Sequence, residues 1–389
     1  MILRLRSPIH PPDPRRLPNP MSLTHDAVLH ALSTVQDPDL GRDLVTLGMV
    51  KDVQIDGSKV TVGIELTTPA CPMKDRIQAD IEQAIRSAAG SEKPDITVEF
   101  TAQVRAAKPE NPETPNPLPG VKHVIAVGAG KGGVGKSTVS TSLATGLARL
   151  GAKVGLLDGD IYGPSLSTML GLDELQATAN GNILDPFEVH GIKSMSIAKL
   201  VDPEKAMIWR GPMAHKAFSQ LVLQTDWGEL DYLIVDLPPG TGDVPLSLAQ
   251  LLPLTGSVVV CTPQRVAIDD ARRAVRMFQQ LNVGVLGVVE NMSWFVGDDG
   301  KEYDLFGRGG AERMAEGMGI PFLGAIPLHM NMRINADEGT PLGNFEINDE
   351  ITGILTDTCQ RLAQQVSIAT ANTPGRPTLT ISGQPTPST

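Results

Sequence analysis

The densest chemistry in the sequence lies in one octet, Gly130-Lys131-Gly132-Gly133-Val134-Gly135-Lys136-Ser137, with Thr138 directly after it. It satisfies GxxxxGK[ST] just after an apolar run at Val124–Val127 and before a helical stretch that reaches Leu150. Glycines at these positions let consecutive backbone N–H groups turn inward on a polyphosphate, and the helix that follows presents its positive end to the same anion. Lys136 supplies a point charge to the β- and γ-phosphates, and Ser137 offers a hydroxyl to Mg²⁺. The competing reading, a glycine-rich turn that only packs against a sheet, leaves Lys136 without a task. The octet therefore reads as a site for a nucleoside triphosphate with Mg²⁺.

Two carboxylate positions close apolar runs, where an open parallel sheet places its ligand crevice. Asp236 ends Tyr232-Leu233-Ile234-Val235-Asp236 and is followed by Leu237-Pro238-Pro239-Gly240-Thr241-Gly242-Asp243. It is the expected acid for Mg²⁺, held through water; a helix cap or a loop salt bridge competes with that role. Asp158 and Asp160 follow Val154–Leu157 in DGDIYGPS. One of them should orient the attacking water, because phosphoryl transfer needs positioning more than covalent chemistry, and spacing alone does not decide between them. Lys131 is a second lysine inside the loop and has no role in an ordinary phosphate loop.

The elements that must position these residues follow from the apolar pattern. After Gly120 short runs without alternation, HVIAVGA, KVGLLD, YLIVDLP, SVVVCTP, GVLGVVEN and FLGAIPL, are separated by helical segments. Such runs are strands buried on both faces, so this part is an α/β domain with a mostly parallel sheet flanked by helices. Residues 21–106 read helix, strand, strand, helix, strand, a small α+β domain with a hairpin turn at Asp56-Gly57. The five prolines of residues 107–120 make a semi-rigid linker between the two. The ATPase domain is expected over 121–367, closed by a helix through Ile351, Leu355, Cys359, Leu362 and Val366, with a disordered Thr/Pro/Ser-rich tail over 368–389. Residues 1–20, with six prolines and four arginines, read as a disordered extension, and Met21 stands where the helical pattern begins.

Composition removes several classes of function. Thirty-three Lys and Arg against 44 Asp and Glu leave a net charge of −11 over 389 residues, which argues against a general grip on nucleic acid or an anionic membrane. No run is long and apolar enough for a membrane span. Three scattered cysteines make no disulfide framework and point to a cytoplasmic, reducing setting.

The octet resembles the deviant Walker A loop of the MinD-like ATPases, and the wider chain resembles the Mrp/ApbC iron-sulfur cluster carriers. The residues that carry this are DGDIYGPS (158–165), WRGPM (209–213), DLPPGTGD (236–243), TPQ (262–264), ENMS (290–293), FGRGGAERMAE (306–316) and PFLGAIPL (321–328). The resemblance implies a P-loop NTPase that works as a homodimer, with Lys131 reaching the partner's nucleotide to neutralise transition-state charge. It implies that Asp160 is the switch carboxylate near the attacking water, that Asp236 belongs to the second switch, and that Asn291 binds adenine in a pocket lined near Pro327. Residues 21–106, with DPDLGRDLVTLGMV (37–50) and LTTPACPMKD (66–75), resemble the small SufT-like iron-sulfur assembly domain.

The family pattern breaks after ENMS, where the resemblance implies a CPxCG stretch whose thiolates hold a bridging cluster. Here Gly297 and Gly300 stand in place of the two cysteines, and Asp298-Asp299-Gly300-Lys301 reads as a polar turn. Hard oxygen donors do not replace thiolates for such a cluster. Cys261 and Cys359 sit on apolar runs and read as packed thiols. Cys71 precedes a helix whose first position is expected at Pro72, a setting that favours thiolate, and is the candidate iron-sulfur ligand. Two functions remain: an ATPase that transfers clusters to apoproteins, and a nucleotide-dependent scaffold that binds assembly proteins without holding a cluster. A kinase acting on a small acceptor is the third and weakest.

Overall fold

The computed structural model describes residues 23–90, 93–107, 116–160, 163–199, 211–297 and 299–372. The disorder expected for residues 1–20 falls outside these. Two compact units emerge, one comprising the chain up to Glu65 with Met73–Thr101, the other Leu66–Pro72 with the chain from Ala102 onward.

The smaller unit follows the expected order. Helix α1 (His25–Leu32) is capped by Thr24, whose hydroxyl accepts the Ala27 N–H, and it buries Val28, Ala31 and Leu32. Strands β1 (Val50–Asp56) and β2 (Lys59–Leu66) pair antiparallel about Gly57, whose φ of 58° the turn requires. Helix α2 (Lys74–Ala89) buries Ile77, Ile81 and Ile85, spaced one turn apart, and strand β3 (Asp95–Ala102) completes a sheet in the order β1-β2-β3. Helix α2 starts at Lys74 with Met73 as N-cap, so Pro72 is not the first helical position as expected and Cys71 lies two residues before the cap.

The larger unit is built on β4 (Val121–Gly128), α3 (Lys136–Arg149), β5 (Val154–Asp158), α4 (Leu166–Met169), a short hairpin β6 (Ala179–Asn180) and β7 (Ile183–Leu184), then β8 (Phe187–Val189) and β9 (Ile192–Ser196). It continues through α5 (Gly211–Gln224), β10 (Leu230–Asp236), α6 (Asp243–Gln250), β11 (Leu254–Cys261), α7 (Arg265–Gln280), β12 (Val285–Val296), β13 (Glu302–Tyr303), α8 (Gly310–Met318), β14 (Phe322–Leu328), α9 (Met330–Asp337) and α10 (Asp349–Asn372). The described strands form a sheet in the order β13-β12-β11-β4-β10-β5-β9-β8, with β14 also on β12. Pairs among the central strands are parallel, and only the β12–β13 and β8–β9 hairpins are antiparallel. All seven residues of β10 are buried, as strands covered on both faces must be.

This order explains the placement of the site. The chain leaves β4, forms α3 and returns as β5, while β10 slots between those two strands. Asp236 consequently lies in register with Val127 on one side and Asp158 on the other. The carboxyl ends of three adjacent strands thus surround one crevice, as open α/β sheets place their ligands.

Three features depart from the sequence expectations. Strand β12 runs on to Val296 instead of ending before Asn291, through a bulge at Met292 with φ 56°. The final helix continues to Asn372, so residues 368–372 are helical rather than part of the disordered tail. No proline interrupts the helix there, and the Ser367 and Thr370 hydroxyls donate to carbonyls four residues back. The hairpin of β8 with β9 extends the sheet beyond β5 and carries weak apolar signal, since Lys193 and two serines fall within IKSMS. The linker's described end is held in place, with Leu118 buried and its N–H donating to Asn116; residues 108–115 lie outside the described set.

Candidate nucleotide site

Residues 129–135 join β4 to α3 as a glycine-rich loop in which Lys131 is the long side chain. Two of its glycines are required by space. A Cβ on Gly130 would fall 2.2 Å from the backbone of Asp270, and one on Gly135, whose φ is 77°, would fall 2.1 Å from Nδ2 of Asn291. The loop and the first turn of α3, Lys131 to Thr138, line a cavity of 270 Å³ together with Asp160 and Pro239. A second cavity of 480 Å³ adjoins it, lined by Asp160, Pro238, Pro239, Asp243 and Val244 among others.

Lys136 is the first residue of α3 and is only 6% exposed. Its Nζ lies 2.7 Å from Oδ2 of Asp236 and 3.8 Å from Oδ2 of Asp160, yet it makes no hydrogen bond of acceptable geometry among the described residues. A buried ammonium at the positive end of a helix, beside a glycine-rich loop that lines a cavity, fits an anionic ligand. Asp236 is fully buried and accepts from Ser137 Oγ through Oδ2 and from Ser140 Oγ through Oδ1, both at 2.6 Å. Ser137 and Asp236 thus present a hydroxyl and a carboxylate side by side, hard oxygen donors suited to Mg²⁺.

Packing places Asp158 and Asp160 differently. Asp160 lines both cavities. Asp158 is fully buried and accepts from Ser196 Oγ at 2.9 Å and from the N–H groups of Asp160 and Leu166. Burial, reinforced by the Asp236 carboxylate, pushes the Asp158 carboxyl up to about 7, while Ser196 and Lys136 oppose the shift.

Asn291 is buried, and its Nδ2 donates to the Val134 carbonyl at 2.9 Å, which ties the end of the parallel part of β12 to the phosphate loop. Its neighbour Glu290 accepts from Ser293 Oγ, from Gly309 N–H at 2.8 Å and from Ala311 N–H at 2.7 Å, closing the start of α8. Ser140, Ser196 and Glu290 carry no role in the sequence reading. Ser140 had a signal, being one helical turn beyond Lys136; Ser196 had none, since only the sheet brings it to Asp158.

The cysteines separate cleanly. Cys261 and Cys359 are each 1% exposed, and burial pushes both thiols up to about 12. Cys71 is half-buried, in the segment Leu66–Pro72, and lines neither cavity. Where the resemblance implies thiolates, Gly297 and Gly300 flank a turn between β12 and β13, closed by Gly300 N–H to Gly297 carbonyl at 2.9 Å and by Tyr303 hydroxyl to Asp299 at 2.9 Å. No group of three or more His, Cys, Asp or Glu side chains is arranged to hold a metal ion among the described residues.

A glycine loop with a buried lysine at a helix start, facing a strand-end aspartate across a parallel sheet, defines a P-loop NTPase. Residues 120–366 match the family described as NUBPL iron-transfer P-loop NTPase, and residues 25–98 match the family described as iron-sulfur cluster assembly protein. The chain belongs to these iron-transfer P-loop NTPases. An iron-sulfur cluster carrier protein of Deinococcus radiodurans is 50% identical over 348 residues, which cover 89% of this chain and 97% of that protein. One from Synechocystis is 45% identical over 353 residues, covering 89% and 99%. Among solved structures, a nucleotide-binding protein from Archaeoglobus fulgidus in complex with ADP is 38% identical with a TM-score of 0.52, covering 58% of this chain and 89% of that one.

Proposed function

We propose that this chain is a cytoplasmic, homodimeric ATPase that carries iron-sulfur clusters to apoproteins and uses nucleotide state to control transfer. The observation that carries the nucleotide half is the buried Lys136 ammonium at the start of α3, 2.7 Å from Asp236, which Ser137 also meets, on a glycine loop that lines a cavity. The loop amides and Lys136 bind the β- and γ-phosphates of ATP, and Ser137 and Asp236 hold Mg²⁺, Asp236 through water. Mg²⁺ held there would neutralise charge on the phosphates. Asp160 orients the attacking water, Asn291 steadies the loop and contacts adenine, and Lys131 of each protomer acts on the other's nucleotide. The cargo half is supported by the two family matches, each to proteins of iron-sulfur transfer or assembly.

A second reading is favoured by one specific observation. With Gly297 and Gly300 in a closed polar turn and two cysteines locked as neutral thiols, Cys71 is the remaining candidate thiolate in the sequence. On this reading the chain is a nucleotide-dependent scaffold for assembly proteins and holds no cluster itself.

Two experiments decide. Lys136→Ala should abolish ATP hydrolysis and ADP binding by the full chain; unchanged turnover would sink the nucleotide site. Anaerobic reconstitution with iron and sulfide on wild type and Cys71→Ser should give a labile cluster that the substitution removes. No cluster in either protein would favour the scaffold.

A further inference from the structure

Two carboxylates leave β5, and the one that opens onto neither cavity makes the more demanding set of contacts. Asp158 Oδ1 accepts the Asp160 N–H at 3.2 Å, and its Oδ2 accepts the Leu166 N–H at 3.3 Å. Leu166 is the first residue of α4, whose N-cap Ser165 makes no side-chain capping bond. One carboxylate therefore gathers both ends of the chain from Asp160 to Leu166. It is fastened in turn to Ser196, which ends β9 in register with it, and whose hydroxyl donates at 2.9 Å while accepting the Ala198 N–H at 3.2 Å.

A simple cap would serve one end of this span. Holding both ends against a third strand restricts where the Asp160 carboxylate can lie, 3.8 Å from Lys136 and on the wall shared by the two cavities. Phosphoryl transfer is sensitive to such placement, since an error of about 1 Å in a positioning group costs roughly 100-fold in rate. We propose that Asp158, anchored by Ser196, is a positioning residue of the ATPase, acting on hydrolysis through Asp160. The inference rests on the ATPase reading of the site. Asp158 itself lines neither cavity.

The test uses the full chain as wild type, Asp158→Asn, Ser196→Ala, Asp160→Asn and the Asp158→Asn/Asp160→Asn pair. Asparagine keeps the shape of Asp158 and turns one of its two acceptors into a donor, so one end of the span is released. Hydrogen exchange of the nucleotide-free protein should show the Asp160 or Leu166 amide exchanging roughly 10-fold faster in Asp158→Asn. Turnover of Mg-ATP should fall roughly 10- to 100-fold with ADP affinity held within about twofold, and Ser196→Ala should move both readouts the same way to a smaller extent. Adding Asp158→Asn to Asp160→Asn should change turnover by less than about twofold, because a residue that acts through Asp160 has nothing left to act on. Unchanged exchange, a loss of ADP affinity that accounts for the lost turnover, or multiplying effects in the pair would overturn the inference. Should Asp158→Asn not fold, Ser196→Ala carries the same comparison. Absence of turnover in the wild type would overturn the ATPase reading, and the exchange comparison would still decide whether Asp158 anchors the span.

Discussion

Replacing Gly135 with alanine should break the phosphate loop by a route that Asn291 controls. At φ 77° an alanine costs about 1–2 kcal/mol over glycine. Its Cβ would also stand 2.1 Å from Asn291 Nδ2, so the amide must leave and its bond to the Val134 carbonyl is lost. A buried acceptor stripped of its donor costs about 1–3 kcal/mol. The single substitution should therefore cost about 2–5 kcal/mol by addition of those two ranges. Asn291→Ala alone loses the same hydrogen bond, about 1–3 kcal/mol. The double variant loses it only once, so it should be about 1–3 kcal/mol more stable than the sum of the singles. In a unit of this size each 1 kcal/mol moves the melting temperature by about 2–4 °C. Thermal unfolding of the four nucleotide-free proteins reads the coupling directly. Additivity within about 0.5 kcal/mol would refute the contact between the loop and β12.

Lys131→Ala should retain ATP binding while cutting turnover, by ~10³- to 10⁵-fold if the lysine does for the partner what an arginine finger does; wild-type turnover in a confirmed dimer would remove the trans role. Glu290→Gln should set an amide NH₂ against the Gly309 or Ala311 N–H and lower stability by about 1.5–3 kcal/mol per bond lost, measured as a fall in melting temperature. His123 is buried against Tyr232, and burial lowers its pKa from 6.5 to about 4. Between those values the unfolded chain binds a proton that the folded chain does not, so its contribution is present above pH 6.5 and lost as pH falls toward 4. The stability of wild type relative to His123→Gln should consequently drop by about 3 kcal/mol on going from pH 7 to 4, and a constant difference would contradict this burial.

The phosphate loop was readable because its demands are local. Consecutive N–H groups can turn on an anion only where glycines permit the backbone, and Lys136 and Ser137 sit at the helix start by sequence alone. The strands from Val121–Gly128 to Phe322–Leu328 were readable for a related reason, since burial on both faces requires unbroken apolar runs. The hairpin ending in Ser196 was not, because β9, held between β5 and β8, buries Ser194 and Ser196 where apolar side chains would signal a strand, with Lys193 beside them. Nor did spacing show that β12 bends at Met292 and continues as far as Val296, a bulge that depends on its pairing with β14 and β13.

The sequence by itself determined that this is a P-loop protein, which glycines and which lysine form the loop, and that the thiolates implied by family resemblance are missing at Gly297 and Gly300. Tertiary structure alone decided where the carboxylates around that loop lie. The order β4-β10-β5 places Asp236 between the other two strand ends, and the register of β9 spends Asp158 on Ser196 and backbone donors while leaving Asp160 at the cavity wall. Two aspartates two residues apart are alike in sequence. They part company because the fold turns the Asp160 and Leu166 N–H groups and Ser196, 38 residues away along the chain, onto Asp158 and leaves Asp160 at the cavity wall.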